Sequence, residues 1–215
     1  MAGKTTAQMD FWKGDFGTAY TDRNPQTVEE DDASYVAEHG ISRTAMSEDF
    51  LAGIDRSSKI LEVGANLGLQ LEHLRQSGFT NLLGIEVNEH AIRQAKSIHP
   101  EVNIIPGTAF ELPFRDGWFD LVYTSGVLIH IAPKDLPDAM REIYRVSKRY
   151  IWGFEYYAPT PTDIEYRGKK GFLWKRDFAA MYQELFPDLK LVKVKRFLIG
   201  DGPNENQMFL FEKPQ

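Results

Sequence analysis

Polar residues at the ends of two apolar runs are the first candidates for chemistry. The segment ILEVGANLG, residues 60–68, carries Glu62 near the end of one run, and Gly64, Asn66 and Gly68 in the turn that follows it. Gly64 permits a tight turn, and asparagine tolerates left-handed backbone angles best among the residues with side chains. Glu86 ends the next run, where an acid can accept hydrogen bonds from ribose hydroxyls. Together these features favour a nucleoside-containing cofactor over an ordinary strand-to-helix turn.

Aromatic residues concentrate in a second region. Residues 151–174 hold seven aromatics in 24 positions, whereas the chain-wide frequency of 13% predicts about three. We expect Tyr156, Tyr157 and Tyr166 to line a catalytic pocket, because aromatic faces stabilise a cation by up to about 2 kcal/mol when desolvated. His130 is the candidate base, with a structural turn histidine as the alternative.

Charged residues near these aromatics suit an acidic group. Arg23 and Arg167 can each clamp a carboxylate in bidentate fashion, or form surface ion pairs with neighbouring acids. Glu155 can contact an amine or serve as a paired structural acid. The run from Lys175 to Asp177 is typical of a solvated helix start.

The elements that position these residues alternate between strand and helix. From residue 59 the sequence predicts an α/β fold, namely a mostly parallel sheet with helices on both faces and a C-terminal antiparallel hairpin. Two helices precede it: one with Asn24 as N-cap, Pro25 in its first turn and Gly40 past its end, and another over residues 41–51. We therefore predict one domain, residues 1–215, composed of an N-terminal helical extension or lid (1–55) and a Rossmann-like core (56–215).

Composition narrows the classes of function. The chain has no cysteine, and its five histidines lack metal-ligand spacing, so we predict no metal site. The net charge of −6 and the lack of a dense basic run argue against nucleic-acid binding. The sequence shows no apolar signal core or membrane-spanning run, so we expect a cytoplasmic protein with a small-molecule substrate. It carries no signal for an oligomeric state.

The blocks KILEVGANLG, LLGIEVN, IIPGTAFELPF and FDLVYTSGVLIHI, within residues 59–150, resemble the class I S-adenosylmethionine (SAM)-dependent methyltransferases. The resemblance implies a seven-stranded sheet that binds SAM along its strand ends. It places Glu86 at the ribose hydroxyls and Thr124 beneath the sulfonium. It implies that further residues bind the cofactor: Glu62, Gly64, Asn66 and Gly68 on the methionine and ribose side, Thr108, Ala109 and Phe110 at the adenine, Val87 beside Glu86, and Trp12, Tyr20 and Arg23 from the N-terminal extension.

Further blocks, FWKGDFGTAYTDRN, GVLIHIAP, EYYAPTPTDIEYRG and KRDFA, resemble the pseudaminic-acid-biosynthesis-associated methylases. Bacterial enzymes that cyclise SAM to azetidine-2-carboxylate are of similar type. Two functions follow from this resemblance. The first is methyl transfer from SAM to a small secondary-metabolic or sugar-like acceptor, with Arg167, Tyr156 and Tyr157 on the substrate side. The second is cyclisation of SAM itself with release of methylthioadenosine. A non-catalytic SAM-binding module is a third possibility.

Overall fold

Four helices precede the sheet in the computed structural model, which describes residues 4–214. They are α1 (Ala7–Lys13), α2 (Asp15–Thr21), α3 (Val28–His39) and α4 (Arg43–Leu51). The first two form where the sequence shows no apolar periodicity. The Thr6 side chain accepts the Met9 N–H and starts α1, and Gly14 separates the two helices.

Helix α3 begins three residues later than predicted. Thr27, and not Asn24, is its N-cap: its hydroxyl accepts the Glu30 N–H, while the Glu30 carboxylate accepts the Thr27 N–H. This reciprocal capping box satisfies two backbone donors, which leaves Asn24 free for another contact. Gly40, at φ 71°, ends the helix as predicted.

From residue 59 onward, strands and helices alternate as the sequence predicts. The elements are β1 (Lys59–Val63), α5 (Leu69–Gln76), β2 (Asn81–Glu86), α6 (Glu89–Ile98), β3 (Ile104–Pro106), β4 (Phe119–Ser125), α7 (Leu136–Val146), β5 (Ser147–Tyr157), β6 (Thr162–Asp163), β7 (Trp174–Lys175), α8 (Phe178–Leu185), β8 (Lys190–Leu198) and β9 (Glu205–Glu212). Asn88 caps α6 through its side chain, as expected. A 3-10 turn, Leu128–His130, follows β4.

The main sheet has seven strands in the order β3-β2-β1-β4-β5-β9-β8. The first five are parallel, and β9 runs antiparallel to both β5 and β8. This confirms the predicted α/β fold with its C-terminal hairpin. The strand order reverses between β1 and β4, and ligands bind such sheets in the crevice at that switch point. The carboxyl ends of β1, β2, β4 and β5 therefore define the place to look for a site.

Apolar side chains cover both faces of this sheet. Phe178, Tyr182 and Phe209 are fully buried on one face, and Met46 and Leu71 on the other. Gly153 lets the Phe209 ring cross β5, because a Cβ there would lie 2.1 Å from the ring. Among residues 4–214, no helix is long and apolar enough to cross a membrane.

Candidate active site

The loop after β1 has the backbone that its residue types predict. Gly64, Asn66 and Gly68 all have positive φ, at 81°, 46° and 71°. The Asn66 side chain also ties the loop to the N-terminal extension: its Nδ2 donates to Thr21 Oγ1 at 2.9 Å, and its Oδ1 accepts from Asn24 Nδ2 at 3.1 Å. Asparagine thus preserves the turn and adds a link to the N-terminal extension that glycine cannot make.

Glu86 stands at the end of β2 and is only 6% exposed. Its carboxylate accepts the backbone N–H groups of Asn66, Val87 and Asn88, each at 2.8 Å. Burial raises the pKa of Glu86, while these three donors act in the opposite direction. Each carboxylate oxygen has further lone-pair capacity, so the group can accept a hydroxyl while the loop holds it in place.

A cleft beside Glu86, here named the cofactor cleft, holds about 930 Å³ of empty space that is partly open to solvent. Its walls bring together most of the predicted cofactor residues. These are Trp12, Tyr20, Gly64, Asn66, Glu86, Val87, Thr108, Ala109 and Phe110, and the candidate base His130 lies among them. The buried Trp12 Nε1 has no hydrogen-bond partner among residues 4–214. The cleft thus offers an apolar slot at 108–110, a ribose-type acceptor and an unused donor.

A second cavity, here named the acceptor chamber, adjoins the cofactor cleft and holds about 1240 Å³ of space that includes open solvent. The two cavities share a wall that contains Tyr20, Asn66, Ser125 and His130. Helix α3 forms one wall of the chamber. Its other lining residues include Arg43, Glu62, Phe154, Tyr156, Tyr166 and Asn206. A molecule in the chamber and one in the cleft therefore meet at this wall.

His130 is held in one orientation at the shared wall. Its Nδ1 lies 2.8 Å from the Phe172 carbonyl oxygen, which only accepts, so Nδ1 carries the proton. The lone pair of the neutral ring is then on Nε2. Burial lowers the pKa of His130 to about 4, which keeps the ring neutral at physiological pH. By contrast, burial raises the pKa of Tyr20 to about 12 and raises that of Tyr156, so these hydroxyls stay protonated.

Glu155 lies on the face of β5 opposite to Tyr156. Its buried carboxylate accepts the N–H groups of Val127, Leu128 and Ile129 at 3.2–3.4 Å. Burial raises its pKa to about 7. Glu155 therefore holds the 3-10 turn that carries His130, which matches the structural alternative predicted for it.

Arg43 belongs to the site, although the sequence analysis did not identify it. It is 6% exposed, lines the acceptor chamber and donates to Gln70, Tyr35 and Ser125, all of them neutral. Within residues 4–214 it forms no ion pair. Glu62 lines the same chamber with an unpaired Oε2, and burial raises its pKa to about 8. A buried guanidinium with only neutral partners leaves room for an anionic group.

Other predicted site residues lie outside both cavities. Tyr157 points to the opposite face of β5 from Tyr156, and its hydroxyl accepts from Arg196 at 2.6 Å. Arg23 and Arg167 are exposed. Gly68 and Thr124 are buried: a Cβ on Gly68 would meet Ile104, and Thr124 lies beside Glu155. The contacts of these five residues with a ligand stay predictions, and their positions do not support them.

Comparison with known proteins identifies the core of the chain. Residues 61–150 match a methyltransferase domain family. An uncharacterized methyltransferase of Synechocystis is 34% identical over 95 residues, which cover 44% of each chain. The matched stretches span less than half of the curated relatives' own lengths.

Solved structures share the fold of this chain. The 1,6-didemethyltoxoflavin-N1-methyltransferase of Burkholderia thailandensis, solved with S-adenosylhomocysteine and 1,6-didemethyltoxoflavin, superposes with a TM-score of 0.72 at 15% identity and covers 100% of this chain and 94% of its own. The [4+2]-cyclase SpnF superposes with a TM-score of 0.61 at 15% identity over 80% of this chain and 79% of its own. Family and fold support SAM as cofactor or substrate, and the residues of the cofactor cleft fit it.

Proposed function

We propose that this protein transfers a methyl group from SAM to a small-molecule acceptor. One observation carries the proposal: the cofactor cleft and the acceptor chamber meet at His130, whose Nε2 lone pair is available there. When bound, SAM supplies an electrophilic methyl group on a sulfonium. A neutral imidazole at the junction can accept a hydrogen bond from the N–H or O–H of the acceptor and orient its lone pair toward the methyl group. Because burial makes this imidazole a weak base, its contribution is mainly to position the acceptor.

The other residues of the two cavities have positioning roles in this proposal. Glu86 accepts the ribose hydroxyls, and residues 108–110 contact the adenine. Arg43 binds the carboxylate of the methionine part of SAM. It takes the role that the sequence suggested for Arg23 or Arg167. The rings of Tyr20, Tyr156 and Tyr166 exclude water from the junction and favour the sulfonium charge.

Mass spectrometry after incubation with SAM and a panel of small phenols, amines and nitrogen heterocycles tests the proposal. We expect S-adenosylhomocysteine only when a suitable acceptor is present. His130→Asn should then lower kcat by about 100-fold and leave the KM for SAM unchanged, because the ring positions the acceptor. Consumption of SAM without any acceptor would contradict methyl transfer.

Cyclisation of SAM to azetidine-2-carboxylate is a second candidate, favoured by the state of Glu62. The reaction joins the α-amine nitrogen to the γ-carbon as the carbon–sulfur bond breaks, and methylthioadenosine leaves with that electron pair. The amine must first lose a proton. A buried carboxyl with a free oxygen and a pKa of about 8 can accept it, since α-amino groups titrate near the same value.

A reaction with SAM as the only substrate distinguishes the two candidates. Cyclisation predicts methylthioadenosine and a four-membered imino acid in equal amounts, and Glu62→Gln should abolish both while S-adenosylhomocysteine still binds. If Glu62→Gln forms methylthioadenosine at the wild-type rate, Glu62 is not the proton acceptor.

We also propose that the N-terminal extension acts as a lid. Helices α1 and α2 line the cofactor cleft, and three polar contacts hold them closed: Asn88 Nδ2 to Trp12 O at 2.8 Å, His90 Nε2 to Asp22 at 2.7 Å, and Gln8 Nε2 to Gly171 O at 3.0 Å. The cofactor can reach the cleft when these helices move aside. Saturating S-adenosylhomocysteine should therefore slow proteolysis within residues 4–27, and an unchanged cleavage rate would argue against a lid.

A further inference from the structure

An unused hydrogen-bond acceptor lies deep in the acceptor chamber. Asn206 of β9 is 4% exposed and lines the chamber, and its Oδ1 has no hydrogen-bond partner in the part of the chain that the structure describes. It pairs with Tyr156 of β5, so the two side chains share one face of the sheet. Buried polar atoms are nearly always paired in folded proteins. An unpaired oxygen on a cavity wall therefore points to a ligand that supplies a donor.

Neighbouring groups determine which atom of the Asn206 amide is free. His39 Nδ1 lies 2.6 Å from the Leu198 carbonyl oxygen, so this nitrogen carries the proton. The other ring nitrogen, Nε2, presents its lone pair to Asn206 Nδ2 at 3.4 Å. The amide therefore directs its NH₂ toward His39 and its oxygen away from it. The free group is an acceptor because the Leu198 carbonyl determines the His39 tautomer.

The walls around Asn206 describe the rest of the ligand. Tyr35, Phe154 and Tyr156 present aromatic surface. The charged groups of the chamber have other partners in the proposed complex: Arg43 and Glu62 face the methionine part of SAM, and Lys175 Nζ lies over the Tyr156 ring and donates to Asn204. The Glu38 side chain is 56% exposed at the rim. Aromatic walls beside the buried Asn206 acceptor suit a neutral ring that carries an N–H or O–H donor.

We infer that Asn206 selects the methyl acceptor by accepting a hydrogen bond from an N–H or O–H group on a small, neutral, ring-shaped molecule. The inference rests on the proposed methyl transfer, since it names the class of acceptor for the same chamber. It assigns Asn206 a role in binding and specificity, with His39 as a positioning residue behind it.

Indole and benzofuran provide matched probes, because they share one shape and only indole has a ring N–H donor. Ligand-detected NMR titrations with wild-type protein saturated with S-adenosylhomocysteine should show about ten-fold tighter binding of indole. Asn206→Leu should remove that preference, and Asn206→Asp, which keeps the acceptor oxygen, should retain it. Asn206→Ala replaces the Leu variant if that variant does not fold.

Gln207→Leu is the matched control. Gln207 lies next along β9 on the opposite face, where its side chain binds Asp177 and the Ala179 N–H, and it lines neither cavity. This variant should keep the preference for indole. Equal affinity of the wild type for both probes, failure of both to bind, or a preference that survives in Asn206→Leu would each overturn the inference.

Binding of S-adenosylhomocysteine, followed separately by calorimetry, distinguishes this failure from failure of the proposed function. If the wild type does not bind S-adenosylhomocysteine, methyl transfer fails. The indole preference of the protein alone then still tests Asn206.

Discussion

Replacement of Glu86 by glutamine tests the cofactor site most directly. The carboxylate accepts three N–H groups at 2.8 Å, two of them on Oε1 and one on Oε2. An amide offers only one oxygen, so at least one N–H must face an NH₂ donor. The ribose hydroxyl also loses a charged acceptor. Hydrogen bonds to charged groups contribute about 1.5–3 kcal/mol, so the Kd for S-adenosylhomocysteine should rise roughly 10- to 150-fold.

Isothermal titration calorimetry measures the effect of Glu86→Gln with two ligands. S-adenosylhomocysteine contains the ribose, whereas adenine lacks it, so only the first should lose affinity. The titrations belong at pH 8, because burial raises the pKa of Glu86 and the carboxylate must be ionised. The unpaired N–H should also lower the free energy of unfolding by about 1–3 kcal/mol.

Glu142→Gln is the control for this experiment. Glu142 also accepts a backbone N–H, that of Leu112 at 2.8 Å, but it lines neither cavity. Glu142→Gln should lower the free energy of unfolding without changing the affinity for S-adenosylhomocysteine. The ribose assignment is wrong if folded Glu86→Gln binds S-adenosylhomocysteine within two-fold of the wild type. An equal loss of adenine affinity would instead indicate that the whole cleft has changed shape.

Three further predictions concern the surrounding structure. Burial raises the pKa of Glu155 from 4.5 to about 7, so the native state keeps a proton that the unfolded chain releases, and this contribution to stability is lost as the pH rises through that window. Urea titrations should show a flatter decline in the free energy of unfolding from pH 5 to 7 for Glu155→Gln, and equal slopes would contradict the shift. Gly153→Ala should cost about 1–3 kcal/mol in the same assay, because its Cβ would lie 2.1 Å from the Phe209 ring, and Phe209→Leu should relieve the clash. Asn66→Gly keeps the left-handed turn but loses both side-chain contacts to the N-terminal extension. Limited proteolysis should therefore cut residues 22–27 of this variant faster, at a nearly unchanged Tm. Asn66→Ala should in addition lower the free energy of unfolding by about 1–2 kcal/mol through backbone strain.

Local sequence patterns predicted the sheet well. Strands β1 and β4 have the bounds that KILEV and FDLVYTS indicate, because a strand buried on both faces is a short apolar run between turn residues. The turn after β1 follows equally from glycine and asparagine backbone preferences. The cofactor side of the site depends on these strand ends, so most of its predicted residues do lie together in the cofactor cleft.

The first two helices show where local patterns fail. Their aromatic residues have no helical apolar period because their partners come from a distant loop as well as from each other: Phe11 packs 4.3 Å from Phe172, and Trp12 packs 4.4 Å from His130. Helix α3 begins late for a different and local reason, since a capping box at Thr27 outweighs the proline rule.

The acceptor side was decided by tertiary structure alone. Arg43 reaches Ser125 across 82 positions, and the orientation of Asn206 depends on His39, 167 positions away. The sequence by itself determined the alternating sheet, the turn after β1 and the acid at Glu86, because each of these depends on residues adjacent in the chain. The packing of α3 and α4 over the strand ends decides which buried groups remain unpaired, and therefore what the chamber can bind. Only the folded chain brings those groups together.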